Sequence, residues 1–378
     1  MKSPSEQGAD QSERNGKIIT PFIERYIACP VCLDMEPHFA FKNRLFVERE
    51  RDIDLRPTVL QWSVRGFEKY HPPLYYIFHC KRCHFAAGMN HFHDPLGEAG
   101  ISVKKFRSAV KQAHANVPAV RKTVKLLGDV VTDLREIDFF DAIRLHLLAI
   151  YNFHLVPDAL NNDSLNLGRY CNRLAWLYRD LTERPNEMRS VEPKLSILFQ
   201  KLASLWPEAP QNETSAQEMS VSFYERALTN SAAVKSSKNE IDIILLIARI
   251  FLKLEDINNS RKYLSTGRDK LRKMDELDRL VSNGEAEETE TERVQRHADS
   301  RILHRAMDEL TGIYDDIRRN LQQAKFDEAV KLAKGFDTKS SSEIRKRLAE
   351  SGFDEDIVAR VAELIGKRDS KGLFGLFS

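Results

Sequence analysis

The residues best suited to chemistry are four cysteines in two pairs, one at Cys29 and Cys32 and the other at Cys80 and Cys83. A Cys-x-x-Cys pair folds readily as a tight turn that brings two sulfurs together, and four thiolates form the usual ligand set of a structural zinc ion. The spacing therefore predicts one Zn²⁺ bound by all four cysteines. Because protein ligands would close every coordination position, the predicted ion has a structural role.

Two other cysteine chemistries fit the pattern in part. Residues 80–84 spell Cys-x-x-Cys-His, the attachment sequence of c-type haem, but that reading needs export and leaves Cys29 and Cys32 without a role. A redox-active pair expects a strand-to-helix context and does not need a second pair. The fifth cysteine, Cys171, lies in a helical pattern and is predicted to be a core residue.

Histidines surround the second cysteine pair. His79 and His84 flank it directly, which predicts hydrogen bonding in the shell around the thiolates. His91 and His93 follow soon after and offer a further metal as an alternative. Solvent exposure is the simpler interpretation of that second histidine pair.

A basic stretch follows the histidines, with no acidic residue between positions 99 and 128. Such a patch can contact phosphates largely independently of sequence, whereas pairing with acidic residues elsewhere explains the same charges. Few aromatic side chains are available for stacking on bases. The candidate contacts to nucleic acid or an acidic partner are Lys104, Lys105, Arg107, Lys111, Arg121, Lys122 and Lys125.

The elements that must position the cysteines are predicted to be strands. Residues 39–47, 58–64 and 74–79 are rich in Phe, Val, Tyr and Ile, and the last of these runs into Cys80. The charged residues 48–56 between them are predicted to form a loop or the tip of a ribbon. Together these features predict a small zinc-ribbon-like module.

Downstream of this module the apolar spacing is helical. A 34-residue tetratricopeptide frame beginning at Ile241 places apolar residues at the packing positions of two helices, and a second, stretched frame sets Cys171 and Tyr178 among the packing positions of its first helix. One helix is predicted to begin at Pro193, and a long helical hairpin is predicted from residues 260–281 and 293–323. Short helices at 326–336 and 341–365 follow. The predicted fold class is α+β, mostly α, with the zinc-ribbon-like module followed by a tetratricopeptide-like helical array.

Composition and pattern predict six segments. They are a disordered tail at 1–16, the zinc-ribbon-like module at 17–98, a basic helical connector at 99–134, tetratricopeptide-like repeats at 135–283, C-terminal helices at 284–370 and an apolar tail at 371–378.

Overall charge favours no class of partner, since 58 Lys and Arg balance 56 Asp and Glu to a formal +2. No apolar run is long enough for a membrane span, and the first 16 residues lack the apolar region of a secretory signal, so we expect a cytoplasmic protein. Phosphate-binding glycine loops, HExxH and GxSxG are absent from the sequence.

The sequence resembles a family of uncharacterised bacterial proteins that joins a zinc-ribbon-like region to a tetratricopeptide-like region. The likeness rests on residues 29–32, on 73–87 and on Ala-Trp-Leu-Tyr-Arg at 175–179, and it covers roughly residues 25–270. Such families usually carry Cys-Pro-x-Cys-Gly at the second pair, where this chain has Lys81 and His84 instead of Pro and Gly. The resemblance implies metal binding by the four cysteines and a cytoplasmic bacterial setting.

These observations favour a non-enzymatic, zinc-binding scaffold whose helical repeats bind a partner protein. The first alternative is a nucleic-acid-binding zinc-ribbon protein that uses the basic stretch 104–125. The second alternative is a metal-dependent hydrolase, which requires an open coordination position.

Overall fold

A computed structural model describes residues 13–14, 17–18, 20–42, 44–89, 92, 103–129, 135–155, 164–229, 234, 236–283, 289–336 and 340–374. Within these ranges the protein is mostly helical, with a strand-rich N-terminal portion. The fold statements below concern these residues.

Eight short strands precede the helices and pair as four antiparallel hairpins. Within the second hairpin Phe22 lies opposite Phe41 and Ala28 opposite Met35, and within the fourth Ile77 lies opposite Gly88. The strands are β1 Glu13–Arg14, β2 Lys17–Ile18, β3 Phe22–Ala28, β4 Met35–Phe41, β5 Phe46–Arg51, β6 Pro57–Trp62, β7 Ile77–His79 and β8 Ala86–Gly88.

Eleven helices are described after the strands. They are α1 Val103–Asn116, α2 Pro118–Gly128, α3 Phe139–His154, α4 Ser164–Thr182, α5 Pro185–Leu202, α6 Glu213–Thr229, α7 Ser237–Lys253, α8 Ile257–Ser282, α9 Glu290–Lys334, α10 Ser341–Glu350 and α11 Glu355–Phe374. Side-chain caps begin several of them. Asp138 caps α3, Ser236 caps α7 and Thr289 forms a capping box with Glu292 at α9.

The apolar core joins the two kinds of element. One buried cluster includes residues of β3, β7 and β8 together with residues of α1 to α6, so the strand hairpins pack on the helices. A second cluster lies among α7, α8 and the first half of α9. A third lies among the end of α9, α10 and α11. The strand-rich portion therefore rests on the helical half and does not stand alone.

Three predicted helix boundaries differ from the structure. Helix α5 begins at Pro185 and continues through Pro193, because Pro185 occupies the first turn and Val191, Leu195 and Leu198 form one buried face across the second proline. Helix α9 runs unbroken, since no Gly or Pro interrupts residues 321–326. The predicted helix at 341–365 is two helices, which Gly352 separates at a φ of 84°.

Several predicted segments lie partly or wholly outside the described residues. Most of the predicted tail at 1–16 and the last four residues of the predicted tail at 371–378 lie outside the described residues, as do His91 and His93. The predicted boundary after residue 283 stays a prediction, and α9 beyond it shares a core with α7 and α8. No helix among the described residues has the length and apolar character needed to cross a bilayer.

Candidate metal centre

The four predicted ligands come together at one point. All four Sγ atoms lie within 4.8 Å of one another, and Cys29 to Cys83 and Cys32 to Cys80 are each 3.5 Å apart. A tetrahedral zinc ion with Zn–S bonds of about 2.3 Å places its sulfurs about 3.8 Å apart. The observed spacing and the all-thiolate donor set fit such an ion.

The two cysteine pairs form nearly identical knuckles. In each, the amide of the first cysteine donates to the carbonyl five residues later, and the residue after the second cysteine donates back to the first cysteine's carbonyl. These donor–acceptor pairs are Cys29–Asp34 at 2.7 Å, Leu33–Cys29 at 2.9 Å, Cys80–Phe85 at 2.8 Å and His84–Cys80 at 2.8 Å. The β3–β4 and β7–β8 hairpins thus present their turns to each other.

Both knuckles place a non-glycine residue in the left-handed region. Leu33 has a φ of 69° and His84 a φ of 58°. Glycine adopts this conformation without a steric penalty, which is why knuckles commonly carry it. The knuckle turn therefore forms at the second pair although His84 stands where such knuckles commonly carry glycine, and the surrounding contacts hold it there.

The protonation of the sulfurs depends on their crowding. Hydrogen bonds with the Cys80 and Cys83 thiols lower the pKa of the Cys29 thiol to about 4. The hydrogen bond with Cys29 raises the pKa of the Cys83 thiol. One thiolate therefore opposes ionisation of its neighbours. A divalent cation removes this opposition, because coordinating thiols are deprotonated outright.

Polar groups around the sulfurs tie the two knuckles together. The Val31 amide donates to the Cys29 sulfur at 3.4 Å. Glu36 on β4 lies 3.9 Å from the Cys80 sulfur and accepts a 3.0 Å hydrogen bond from the Lys81 amide. Burial raises the pKa of this carboxyl group. Glu36 therefore bridges the β3–β4 hairpin to the second knuckle independently of any metal.

His79 and His84 lie beside the sulfurs but contact each other and the helices. Their rings stack with 5.5 Å between centroids, and His84 Nδ1 lies 3.3 Å from His79 Nε2. The His84 carbonyl accepts a 3.2 Å hydrogen bond from Asn152 on α3. A Cβ atom at Gly128 on α2 would lie 2.5 Å from the His84 ring. His84 therefore docks the second knuckle onto α2 and α3.

The predicted basic contacts do not form one uniform group. The Arg107 guanidinium donates to the Pro30 carbonyl at 2.8 Å and so supports the first knuckle. Arg121 donates to the carbonyls of His114 and Ala115 at the end of α1. Three further predicted contacts, Lys111, Lys122 and Lys125, are exposed. The predicted contacts Lys104 and Lys105 belong to α1, but their side chains lie outside the described residues. Contact with nucleic acid stays a prediction.

Sequence reasoning missed a buried charged network at the turn between β5 and β6, residues 52–56, which we call the hairpin tip. Asp54 is completely buried and accepts two hydrogen bonds from Arg179 on α4, at 3.0 and 2.8 Å. Arg179 also donates to Asp52 at 2.7 Å and to Glu213 on α6 at 2.8 Å. The hairpin tip thus inserts its carboxylates among the helices.

At the other end of the hairpin tip the charges are reversed, because here the tip carries the cation and the helical half carries the carboxylates. Arg56 donates to Asp180 at 2.6 Å and to Glu183 at 2.7 and 2.9 Å. Asp180 also lies 2.7 Å from the His71 ring. Arg179 and Asp180, which directly follow the apolar run 174–178, are the only hint of this site in the sequence, and nothing local to residues 48–56 indicates burial.

Comparison with known proteins identifies a family. The family model DUF2225, described as an uncharacterized protein conserved in bacteria, matches residues 22–282, more than two thirds of the chain. No curated protein and no solved structure matches. The matched range contains both knuckles, the hairpin tip and helices α1 to α8.

Proposed function

This chain belongs to the bacterial family DUF2225, and we propose that it is a non-enzymatic, cytoplasmic scaffold that holds one structural Zn²⁺ and binds a partner protein through its helical half. The observation that carries the proposal is the closed cluster of four sulfurs within 4.8 Å of one another. Four thiolates complete a tetrahedral site, and structural zinc contributes directly to folding stability.

The zinc ion would act as a staple between two parts of the chain. Cys29 and Cys32 lie at the turn of the β3–β4 hairpin, whereas the second knuckle is docked on α2 and α3 through His84. When bound, the metal offsets two of the four thiolate charges and fixes the two hairpins that carry the cysteines. The staple thereby joins the β3–β4 hairpin to the helical half.

Packing within the helical half supports a tetratricopeptide-like arrangement. Helices α7 and α8 form a pair in which Ser260 is fully buried, and a Cβ atom at Gly267 of α8 would lie 2.8 Å from Met307 on α9. Ser260 and Gly267 occupy positions that the Ile241 frame assigns to close helix packing. Helices α4 and α6 form a second pair, where Gly168 lies against the ring of Tyr224, a packing position of the stretched frame.

A partner would dock outside the surface that the hairpin tip covers. The α8–α9 pair exposes four large apolar side chains, with fractional exposures between 38% and 58%. Exposed apolar patches are typical of protein–protein contact surfaces. They are Leu277, Leu280, Val294 and Ile302.

Metal analysis tests the zinc half of the proposal. Protein purified without added metal should contain about one zinc per chain, Cys29→Ser should lose it with a loss of stability, and Cys171→Ala should retain it because Cys171 lies outside the cluster. Less than about half an equivalent of zinc in the wild type, with Cys29→Ser unchanged in stability, would refute the staple.

An affinity pull-down from the native cell tests the partner half. The doubly substituted Leu277→Glu, Val294→Glu protein should lose a partner that the wild type captures. Ile197→Glu changes an equally exposed apolar residue on α5 and should keep that partner. Equal capture by all three proteins would remove the α8–α9 surface from the proposal.

The exposed lysines of α1 and α2 favour the nucleic-acid alternative. Charge reversal at Lys122 and Lys125 should then weaken binding of labelled DNA or RNA at low salt. No binding by the wild type would exclude this alternative. The other alternative, a metal-dependent hydrolase, needs an open position that four thiolate ligands do not leave.

A further inference from the structure

A separate cavity of about 340 Å³ lies between α4, α6, α7 and α9, with Leu55 of the hairpin tip on its wall. Its volume falls within the range of about 300 to 1,000 Å³ that ligand pockets occupy. It shares no residue with the knuckles, so its role does not depend on the proposed zinc site.

The floor of the cavity is apolar. Tyr224, Ile243 and Leu245 are buried beneath it, and the half-buried Leu165 and Leu246 form its sides. Such a lining favours binding of an apolar group and disfavours binding of a fully hydrated ion.

One charged side chain of the cavity is incompletely paired. Arg249 is only 7% exposed, and its guanidinium has five N–H donors. Among the described residues it donates one hydrogen bond, to the Ile53 carbonyl at 3.3 Å. The exposed Glu309 carboxylate lies 3.8 Å away, too far for a hydrogen bond. Burial lowers the pKa of Arg249, as expected for a cation that lacks full compensation.

A second guanidinium lies on the rim. Arg169 on α4 lines the cavity and bonds within its own helix to Asn166, at 3.0 Å. The acidic residue of the lining, Asp242, is paired with Lys238 at 2.6 Å. The cavity therefore combines an apolar floor with two arginines and a carboxylate that is already neutralised.

We infer that this cavity binds an organic carboxylate with an apolar body, its carboxylate on Arg249 and Arg169 and its apolar group on the floor. Guanidinium groups bind carboxylates through short, charge-assisted hydrogen bonds. The same chemistry is offered by a free acid and by the C-terminal residue of a peptide. Leu55, held at a φ of 68° by the turn of the hairpin tip, closes one side.

Calorimetric titration of the full chain tests the inference with four probes. N-acetyl-leucine should bind at least about tenfold more tightly than N-acetyl-leucinamide, because only the acid offers a charged acceptor. A short peptide ending in Leu, compared with the same peptide bearing a C-terminal amide, tests whether the C-terminal residue of a peptide binds. Tighter binding of either acid than of its amide supports the inference. Equal binding of acid and amide, or binding of neither acid, overturns it.

Variants assign the binding to this cavity. Arg169→Gln should weaken the acid several-fold, whereas Arg189→Gln should not, although Arg189 makes the same contact to the asparagine three residues earlier on α5. Leu246→Trp fills the cavity without removing either arginine and should abolish binding while the thermal unfolding temperature stays near that of the wild type. Undiminished binding by both Arg169→Gln and Leu246→Trp would overturn the assignment.

Discussion

Gly128 and His84 show how one residue on a helix positions the metal centre. The His84 ring lies against Gly128 of α2, and the His84 carbonyl is held by Asn152 of α3. No larger residue fits at position 128 while the ring keeps its place, because a Cβ atom there would lie only 2.5 Å from it. The orientation of the second knuckle therefore depends on this contact.

We predict that Gly128→Ala destabilises the protein by about 1 to 3 kcal/mol, as forced overpacking does, and weakens its zinc affinity by displacing His84. Denaturant unfolding and competition with a zinc chelator measure the two effects. Gly312→Ala is the matched control, because nothing lies within 4 Å of a Cβ atom there, and it should be neutral or stabilising by up to about 1 kcal/mol. Equal effects of the two substitutions would contradict the role of the Gly128 contact.

A buried histidine gives the protein a predictable sensitivity to acid. His146 on α3 is fully buried, donates from Nδ1 to the Ala142 carbonyl at 2.8 Å and has no partner at Nε2 among the described residues. Burial lowers its pKa to about 4, whereas an unfolded chain gives a histidine pKa of about 6.5. Its contribution to stability is therefore complete above pH 6.5 and is lost as the pH falls from 6.5 to 4.

His146→Leu should reduce the slope of unfolding free energy against pH in that window. The reduction is at most the slope that one bound proton contributes. Acid also releases metal from thiolates, so the comparison is between variant and wild type at each pH. Chemical denaturation from pH 7 to pH 4 provides the curves. Parallel curves would show that His146 does not titrate as its burial requires.

At the scale of elements, the hairpin tip joins the strand-rich portion to the helical half. Asp54 is completely buried, and removing it leaves Arg179 with two fewer charge-assisted hydrogen bonds. Asp54→Ala should destabilise the protein by about 3 to 5 kcal/mol, because Arg179 loses its completely buried partner and keeps only the half-buried Asp52 and Glu213. Glu48→Ala removes the exposed pair with Arg51 on the same hairpin and should change stability by no more than about 1 kcal/mol.

Thermal unfolding of both variants measures the difference. A double substitution of Asp54 and Arg179 should be less damaging than the sum of the single substitutions, since the two side chains are in direct contact. Additive effects would mean that the Asp54–Arg179 pair does not couple the hairpin to α4.

The clustering of the four cysteines and most helices were predictable because their signals are local. Two cysteines three residues apart specify a knuckle, and apolar spacing specifies a helical face. The burial of the hairpin tip was not predictable, because Asp54 and Arg56 reach their partners on α4 across 125 and 124 residues. Charged residues are usually exposed, and no local feature of the hairpin tip indicates that oppositely charged residues lie on the helices.

At the scale of the whole molecule, α9 extends the fold beyond the range that the family model matches. That range ends at residue 282, yet Leu303, Met307 and Leu310 on α9 are almost completely buried against α7 and α8. A chain ending at residue 282 should therefore unfold at a much lower temperature than the full chain, because it exposes this core. A chain ending at residue 335 keeps these residues and should hold α7 and α8 as the full chain does.

Thermal unfolding followed by circular dichroism distinguishes the two truncated proteins. Truncation at 335 removes α10 and α11, whose core with the end of α9 is separate from the core among α7, α8 and the first half of α9. Equal unfolding temperatures of the two truncated proteins would contradict a structural role of α9 in the helical half.

X-ray absorption at the zinc edge distinguishes a closed tetrathiolate zinc ion between the two knuckles from any other ligand set. The proposal predicts a single shell of four sulfur ligands at about 2.3 Å, from Cys29, Cys32, Cys80 and Cys83. A shell containing nitrogen or oxygen at about 2.0 to 2.2 Å would contradict the proposed zinc site, because it would show a missing thiolate or an open position.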